Sequence, residues 1–415
     1  MHYKYAFGKG YKEFDLPENN IMAELRQNKV EVELTGEAEV QRALENPIDS
    51  KRLSQIVGRG ERVVIITSDI TRPMPSKTVL PALIEELALG GIKDEDIKIV
   101  FALGSHRKQT EDEMKSLVGE EIYRRIRCVD SDPKDCMRLG FTSSGTPVDI
   151  YSEVAKADRR ICIGNIEFHY FAGYSGGAKV LMPGVSSREA IQANHSAMVK
   201  KSAKAGAIDD NPVRQDIEEV VHYVPIDFLL NVVLDEKKNI IKAFAGHYKF
   251  AHRDGCKFLD SLYKVPIPKL ADIVITTPGG YPKDINLYQA QKALDNAKHA
   301  VKEGGIIILL ASCAEGLGEE VFERWIMASE TPEKMIQDIQ SNFELGGHKA
   351  AAIALVREKA KIFIVSDLDK TIAEKIFMES FNSMEEALKH AFELVGSDAQ
   401  VVLMPYGGST LPILK

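Results

Sequence analysis

Short apolar runs that end in polar, glycine- or proline-containing turns recur along the chain and alternate with helical patterns. Such near-continuous runs are typical of strands buried on both faces of a parallel sheet. The strands predicted in this way cover residues 62–67, 97–103, 271–277, 305–311, 361–366 and 400–404. Between the first two strands the pattern predicts a helix at 76–89, and Thr110 with Glu113 predicts the capping box of the next helix. This alternation predicts an α/β fold built from two doubly wound α/β domains.

A chain of 415 residues is too long for one ordinary hydrophobic core. The two prolines in residues 264–268 mark the best linker, so we expect an N-terminal cofactor-binding α/β domain at 1–266 and a C-terminal α/β domain at 267–415. We interpret the final turn, 405–410, as a return of the last residues to the first domain. Ligands of open α/β sheets bind outside the carboxyl ends of the strands, so we expect the active site in the cleft between the two domains.

The N-terminal segment has a different pattern from the rest of the chain. Residues 4–11 and 28–34 are interpreted as short strands, separated by turn residues. Strands of this kind can cover the edge of a sheet.

Composition narrows the class of protein. Hydrophobic residues make up 44% and charged residues 27% of the chain, as in globular proteins, and the formal net charge of −8 argues against a nucleic-acid surface. No apolar run approaches the roughly 20 residues that span a bilayer, and the N-terminus has no signal-peptide pattern. The five cysteines form no C-x-x-C pair. We therefore expect a cytoplasmic protein without nucleic-acid or membrane partners.

Most of the candidate chemistry lies in residues 164–195, GNIEFHYFAGYSGGAKVLMPGVSSREAIQANH. His169, Lys179 and His195 are too far apart in sequence to share one face of a helix or strand. They can converge if the loop folds back on itself, which Gly176 and Gly177 permit through positive φ angles and close backbone approach.

A helix is expected to carry His195. Ser186 and Glu189 match a capping box, so this helix is predicted to start at Ser186.

Further polar residues follow other predicted strands or begin a helix near Asn286. Gln289 and Lys292 are three positions apart, so they share one face of this predicted helix. These residues are Asp69, Arg72, His106, Tyr288, Gln289 and Lys292.

The residue types suggest roles for this set. Arg72 can hold a carboxylate bidentately, and His106 with His169 can accept and return one proton near neutral pH. His195 can bind a metal such as nickel through a neutral imidazole nitrogen. Lys179 can act as a nucleophile or anchor a cofactor covalently. These roles are compatible with three classes of enzyme, which are a racemase, a Schiff-base lyase and a metal hydrolase.

Five segments resemble the nickel-pincer lactate racemase family. They are FGKG at 7–10, SDITRPMP at 68–75, LGSHRKQT at 103–110, FHYFAGYSGGAKVLMPGV at 168–185 followed by the Asn-His pair at 194–195, and GGYPKDINLYQAQK at 279–292. The resemblance implies a racemase or epimerase of a 2-hydroxy acid. It also implies hydride transfer to and from a nickel-pincer nucleotide, pyridinium-3,5-bisthiocarboxylic acid mononucleotide nickel.

The resemblance further implies roles for individual residues. The nucleotide would be joined to Lys179, with His195 as the nickel ligand and with Asp69, Gly176 and Gly177 in contact with the cofactor. His106 and His169 would be the alternating acid and base. The residues implied to bind the substrate are Arg72, Tyr288, Gln289 and Lys292. Separate cofactor-biosynthesis enzymes would be needed for maturation.

The resemblance does not identify which 2-hydroxy acid is the substrate. The family's lactate enzyme has an aromatic residue near residues 346–349, where this chain has none, so lactate and bulkier or more polar 2-hydroxy acids are both considered. His348 and Lys349 could hold a second carboxylate or could lie in a solvated loop. Two other functions remain, a lyase or aldolase that uses Lys179 as a Schiff base, and a non-catalytic carrier of nickel or nucleotide.

Overall fold

The structure, a computed structural model, describes residues 1–415 and divides into two compact units. We call Val30–Asp260 the central unit, and Met1–Lys29 together with Ser261–Lys415 the terminal unit. No helix combines the length and the apolar character needed to cross a membrane.

The regular elements alternate between strand and helix over most of the chain. The strands are β1 (His2–Phe7), β2 (Gly10–Asp15), β3 (Ile21–Glu24), β4 (Val63–Ser68), β5 (Ile97–Ala102), β6 (Arg127–Asp130), β7 (Cys136–Phe141), β8 (Pro147–Tyr151), β9 (Arg159–Asn165), β10 (Phe168–His169), β11 (Gly173–Tyr174), β12 (Phe228–Leu234), β13 (Ile240–Gly246), β14 (Lys264–Ile267), β15 (Ala271–Thr276), β16 (Val301–Leu310), β17 (Lys361–Val365), β18 (Glu379–Phe381), β19 (Val401–Met404) and β20 (Leu411–Leu414). The helices are α1 (Gly36–Glu45), α2 (Ser76–Leu89), α3 (Glu111–Val118), α4 (Glu120–Arg125), α5 (Ser152–Ala155), α6 (Arg188–His195), α7 (Pro212–Glu219), α8 (Tyr248–Tyr263), α9 (Leu287–Ala297), α10 (Glu320–Ala328), α11 (Pro332–Ser341), α12 (Gly347–Lys359), α13 (Lys370–Lys375) and α14 (Met384–Val395).

The central unit is built on a six-stranded sheet in the order β13-β12-β9-β4-β5-β6. Only the β12–β13 pair is antiparallel. Ile65 of β4 and Ile99 of β5 pack in one core with α1 and α2, while Val64 and Val100, which point to the opposite face, are also buried. Burial on both faces explains why these strands are continuous apolar runs.

The terminal unit contains a second six-stranded sheet, in the order β18-β17-β16-β15-β19-β3, and all its strand pairs are parallel. Ile306 and Ile308 of β16 pack on one face against α14 and the β1–β2 hairpin. Ile307 and Leu309 on the other face are fully buried, and α9 and α12 contact β16. The predicted α/β fold with two parallel-sheet domains is confirmed.

The first 29 residues belong to the terminal unit, whereas the predicted division placed them in a domain at 1–266. The reason is a strand pairing that links distant parts of the chain. Strand β3 lies beside β19 as the last strand of the parallel sheet, and Tyr5 and Phe14 of the hairpin enter the core of the same unit.

Other details of the sequence analysis differ from the structure. The predicted linker at 264–268 is largely strand β14, which pairs with β20, so the last residues stay within the terminal unit. The predicted strand at 28–34 is irregular, and the one at 4–11 is broken by a turn at Gly8 and Lys9.

Candidate active site

A histidine–carboxylate pair lies where two adjacent parallel strands of the central unit end. Asp69 follows β4 and His106 follows β5, and these strands are paired in register. His106 Nδ1 lies 2.6 Å from Asp69 Oδ2. The other carboxylate oxygen, Oδ1, accepts a hydrogen bond of 2.7 Å from the hydroxyl of Thr71. Both oxygens of Asp69 are thus used by neighbouring side chains.

The environment of Asp69 keeps it ionised. Burial alone would raise the pKa of this carboxyl, but the hydrogen bonds from His106 and Thr71 outweigh it, with a smaller contribution from Arg72, and the pKa is lowered. A carboxylate can only accept, so His106 carries a proton on Nδ1 and presents its lone pair at Nε2. The exposed Arg72 is next in the same turn, where its backbone N–H donates to the carbonyl oxygen of Asp69.

The glycine-rich loop brings the three residues of its predicted set around one aromatic ring. The ring centroid of Phe171 lies 4.5 Å from that of His169 and 4.9 Å from that of His195, both in edge-to-face geometry. The amine Nζ of Lys179 lies 5.9 Å from the same centroid. His169, Lys179 and His195 therefore converge although 10 and 16 positions separate them in sequence.

Lys179 lies on a short 3₁₀ turn, Gly177–Val180, that contacts strands β4 and β9. Burial lowers the pKa of its amine well below the ordinary value, and the positive charges of Arg214 and Arg72 lower it further. No carboxylate pairs with this amine. This shift favours the neutral amine, which is the nucleophilic form.

Two glycines allow the turn to pack closely on its neighbours. Gly176 and Gly177 have φ angles of +72° and +61°. A Cβ atom at Gly176 would lie 2.6 Å from Asn231 Oδ1, and one at Gly177 would lie 2.9 Å from the ring of His252. The Gly177 N–H donates to Asn231 Oδ1 at 2.8 Å, so any side chain here would displace the turn that carries Lys179.

A buried arginine that the sequence analysis did not select supports the loop. The fully buried guanidinium of Arg214 donates to the backbone carbonyls of Ala172 and Gly176, both at 3.3 Å, and to that of Tyr174. The Asn211–Pro212 pair is a helix-start signal that could have predicted α7, which carries Arg214. The carbonyls that it contacts lie some 40 residues away and could not be predicted from local pattern.

His169 is neutral in this environment. Its Nδ1 accepts a hydrogen bond of 3.2 Å from the backbone N–H of Ala172. Burial lowers the pKa of the imidazole well below the ordinary value, and the positive charges of Lys179, His195, Arg72 and Arg214 act in the same direction. An acceptor at Nδ1 places the proton of the neutral ring on Nε2, opposite to the arrangement in His106.

His195 is the last residue of helix α6, whose N-cap lies one residue later than predicted. Ser187, and not Ser186, is the N-cap, and its hydroxyl accepts from the N–H of Ala190 at 3.1 Å. The hydroxyl of Ser186 instead donates to the carbonyl of Leu181.

The residues around Lys179 fit a covalently attached, metal-bearing group. An amine with a lowered pKa suits acylation, and the imidazole of His195 is a ligand type that suits a borderline metal ion. No group of three or more His, Cys, Asp or Glu side chains is placed to hold a metal ion in this chain.

Three predicted substrate-binding residues lie at the start of α9 in the terminal unit. Asn286 is the N-cap of this helix and accepts from the N–H of Gln289 at 3.0 Å. Tyr288 and Gln289 are half-buried, and Lys292 is exposed. Their role in substrate binding stays a prediction.

Residues 346–349 do not form the solvated loop that was considered. Helix α12 begins at Gly347, and Lys349 is buried, with its amine 2.6 Å from the carbonyl of Tyr288 and 3.7 Å from the centroid of that tyrosine ring. Trp325 of α10 packs on this segment, because a Cβ at Gly347 would lie 2.5 Å from its ring. An aromatic residue therefore does adjoin this segment, supplied by another helix of the same unit.

The fold and the site define an α/β enzyme whose central unit carries a histidine–carboxylate pair and a lysine with a lowered pKa. Family profiles agree with this class. The lactate racemase N-terminal domain matches residues 7–206, and the lactate racemase C-terminal domain matches residues 267–411. The chain belongs to the lactate racemase family and is an isomerase of the racemase type.

Individual relatives cover nearly the whole chain. The lactate racemase of Thermoanaerobacterium thermosaccharolyticum is 37% identical over 417 residues, which span 98% of this chain and 97% of the relative. The lactate racemase of Lactiplantibacillus plantarum is 35% identical over 384 residues, 90% of each chain.

Solved structures give the same result for the fold. The lactate racemase apoprotein from Thermoanaerobacterium thermosaccharolyticum superposes with a TM-score of 0.90 at 35% identity, covering all of both chains. A Thermotoga maritima protein covers 92% of this chain and all of its own, with a TM-score of 0.64 at 18% identity, and shows the fold alone.

Proposed function

We propose that this protein racemises lactate, or a closely related 2-hydroxy acid, with a nickel-pincer nucleotide joined to Lys179 and with His195 as the protein's nickel ligand. When bound, this nucleotide would supply a hydride acceptor and donor for the hydrogen on C2 of the substrate. The protein's own residues would bind the acid, move its hydroxyl proton and exclude water.

The observation that carries the proposal is the state of Lys179. Its amine lies 5.9 Å from the centroid of the ring that His169 and His195 also contact, has no carboxylate partner, and has a pKa that its surroundings lower. A lysine without a chemical role usually lies where its charged form is stable. Strongly perturbed pKa values are instead found most often at functional sites.

His106 is proposed as the base that takes the hydroxyl proton in one direction. Its Nδ1–H bond to Asp69 leaves the basic lone pair at Nε2, and Asp69 stabilises the imidazolium that forms. His169 is proposed as the acid–base residue of the other enantiomer. To act as a base it must move its proton from Nε2 to Nδ1, which gives up the hydrogen bond from the Ala172 N–H. Asp69 was predicted to contact the cofactor, but the use of both its oxygens supports a role in orienting His106.

The carboxylate of the substrate is proposed to bind Arg72, and Tyr288, Gln289 and Lys292 are proposed as further substrate-binding residues. Lactate is favoured over a dicarboxylate because the amine of Lys349, the candidate for a second carboxylate, is already engaged by Tyr288. The names of both curated relatives support the same choice.

A lysine Schiff-base enzyme is the second candidate, because the neutral amine of Lys179 would suit it equally. A non-catalytic carrier is less well supported, since it would have no use for the Asp69–His106 pair.

The test is an assay of each lactate enantiomer in D₂O, with protein co-expressed with the family's cofactor-biosynthesis enzymes. The proposal expects both enantiomers to interconvert with the original hydrogen kept on C2, because a hydride that is removed and returned does not exchange with solvent. His106→Gln and His169→Gln should abolish turnover while nickel is retained.

Three results would reject the proposal. They are deuterium at C2, trapping of substrate on Lys179 by borohydride without a nickel requirement, and full activity of both histidine variants. The first would indicate proton abstraction from carbon and the second a Schiff base, and the third would exclude the two histidines as the acid and base.

A further inference from the structure

A chain of buried polar side chains leads away from His195 and is not used by the proposed reaction. It runs through Asn194 to Asp216 and ends at Thr142 and Thr146. All five residues are buried. Buried polar groups cost stability unless they are fully hydrogen-bonded, so a chain of five in one place calls for a specific role.

The orientation of the Asn194 amide is fixed by its neighbours. Its Nδ2 donates to Asp216 Oδ2 at 2.7 Å and to the backbone carbonyl of Val213 at 3.2 Å. Both partners are acceptors, so a flipped amide would set oxygen against oxygen twice. The amide oxygen Oδ1 must therefore face the remaining neighbour, which is Nδ1 of His195 at 2.9 Å.

Asp216 is held in place by donors on its other side. The hydroxyl of Thr146 donates to Oδ2 at 2.7 Å, and the hydroxyl of Thr142 donates to Oδ1. These two hydroxyl groups hold the carboxylate of Asp216 in place, and the carboxylate accepts the hydrogen bond from the Asn194 amide.

An amide oxygen can only accept a hydrogen bond, so His195 must carry its proton on Nδ1. In a neutral imidazole this tautomer has its lone pair on Nε2, the nitrogen that would bind a metal. The edge-to-face contact with Phe171 limits rotation of the same ring. Ring orientation and tautomer are thus both specified before any ligand is present.

We propose that Asn194 and Asp216 are positioning residues that fix His195 as the Nδ1–H tautomer and so prepare Nε2 as the nickel ligand. The inference rests on the proposed function only for the identity of the metal. Groups that hydrogen-bond a metal-bound histidine commonly affect metal affinity 10- to 100-fold.

The first test uses cofactor-free protein labelled with ¹⁵N-histidine. Long-range ¹H–¹⁵N NMR assigns the tautomer of each histidine, and we expect His195 to carry its proton on Nδ1. In Asn194→Leu, which has a similar volume and no polar group, the Nε2–H tautomer should appear. Thr146→Val is the matched control, because it removes one buried hydrogen bond to Asp216 and leaves both amide bonds of Asn194 in place.

The second test measures nickel loss from loaded protein during dialysis against a chelator. Asn194→Leu should lose nickel roughly 10- to 100-fold faster than wild type. Thr146→Val keeps the Thr142 hydrogen bond to Asp216 and both amide bonds of Asn194, so its rate should change much less. The NMR measurement on the wild-type protein does not depend on whether any variant folds. An Nε2–H tautomer of His195 in the wild-type protein would therefore overturn the inference directly. Asn194→Leu with wild-type tautomer and nickel retention overturns it as well. A wild-type protein with the expected tautomer that takes up no nickel would refute the proposed function and leave the positioning of the ring supported.

Discussion

Replacing Asp69 by asparagine should place the proton of His106 on the wrong nitrogen. Oδ1 of Asp69 accepts from both the N–H and the hydroxyl of Thr71, at 3.2 and 2.7 Å, so the oxygen of an asparagine would remain on that side. Its Nδ2 would then face His106 Nδ1, only 2.6 Å from the position of Oδ2. Because Nδ2 donates, Nδ1 of His106 must accept, and the ring then keeps its proton on Nε2.

The size of the effect follows from the bond that is lost. A hydrogen bond to a charged group contributes about 1.5–3 kcal/mol, and about 1.4 kcal/mol corresponds to a tenfold change in rate. Asp69→Asn should therefore lower kcat by about 10- to 150-fold. The two enantiomers of lactate have equal free energy, so kcat/KM must fall by the same factor in both directions.

The assay is chiral chromatography of lactate, with nickel content measured on each preparation. Thr71→Val is the matched control, because it removes a neutral donor to Asp69 and keeps the carboxylate on His106; its loss of rate should be clearly smaller. Wild-type turnover by nickel-loaded Asp69→Asn would refute the role of Asp69, and so would an equally large loss in Thr71→Val.

Three further outcomes are expected. In cofactor-free protein, the rate at which Lys179 reacts with acetic anhydride should reach its plateau at a lower pH than that of a lysine in an unfolded peptide, because the pKa of Lys179 is lowered; the same pH dependence by peptide mass spectrometry would argue against this. The pKa of His169, followed by NMR, should lie below the ordinary histidine value and rise only in part in Lys179→Met, since burial is the larger cause. An unchanged pKa would exclude the influence of the lysine charge. Gly184→Ala should lower the free energy of unfolding by about 1–3 kcal/mol, because its Cβ would lie 2.1 Å from a backbone oxygen of the Lys179 turn; Gly58→Ala, with no atom nearer than 3.9 Å, should be nearly neutral in urea denaturation.

Elements specified by local pattern could be predicted from the sequence. Helix α2 spans Ser76–Leu89 as expected, and the Thr110 hydroxyl accepts from the Glu113 N–H in the predicted capping box. A strand that is buried on both faces has a continuous run of apolar residues, so β4 and β15 could also be predicted from the sequence.

Features that depend on distant parts of the chain could not be predicted. The pairing of β3 with β19 joins residues near 21 to residues near 401, and no local signal specifies it. At the site, the glycines indicated that the loop could fold back, which the structure bears out around Phe171. The supporting contacts of Arg214 and Asp216 were missed because both residues act across long sequence separations.

The most direct test of the central claim is the intact mass and nickel content of protein co-expressed with the cofactor-biosynthesis enzymes. The account predicts a nucleotide adduct that maps to Lys179, an equimolar amount of nickel, and loss of nickel but not of the adduct in His195→Ala. A folded protein with an unmodified Lys179 and no nickel would contradict the account.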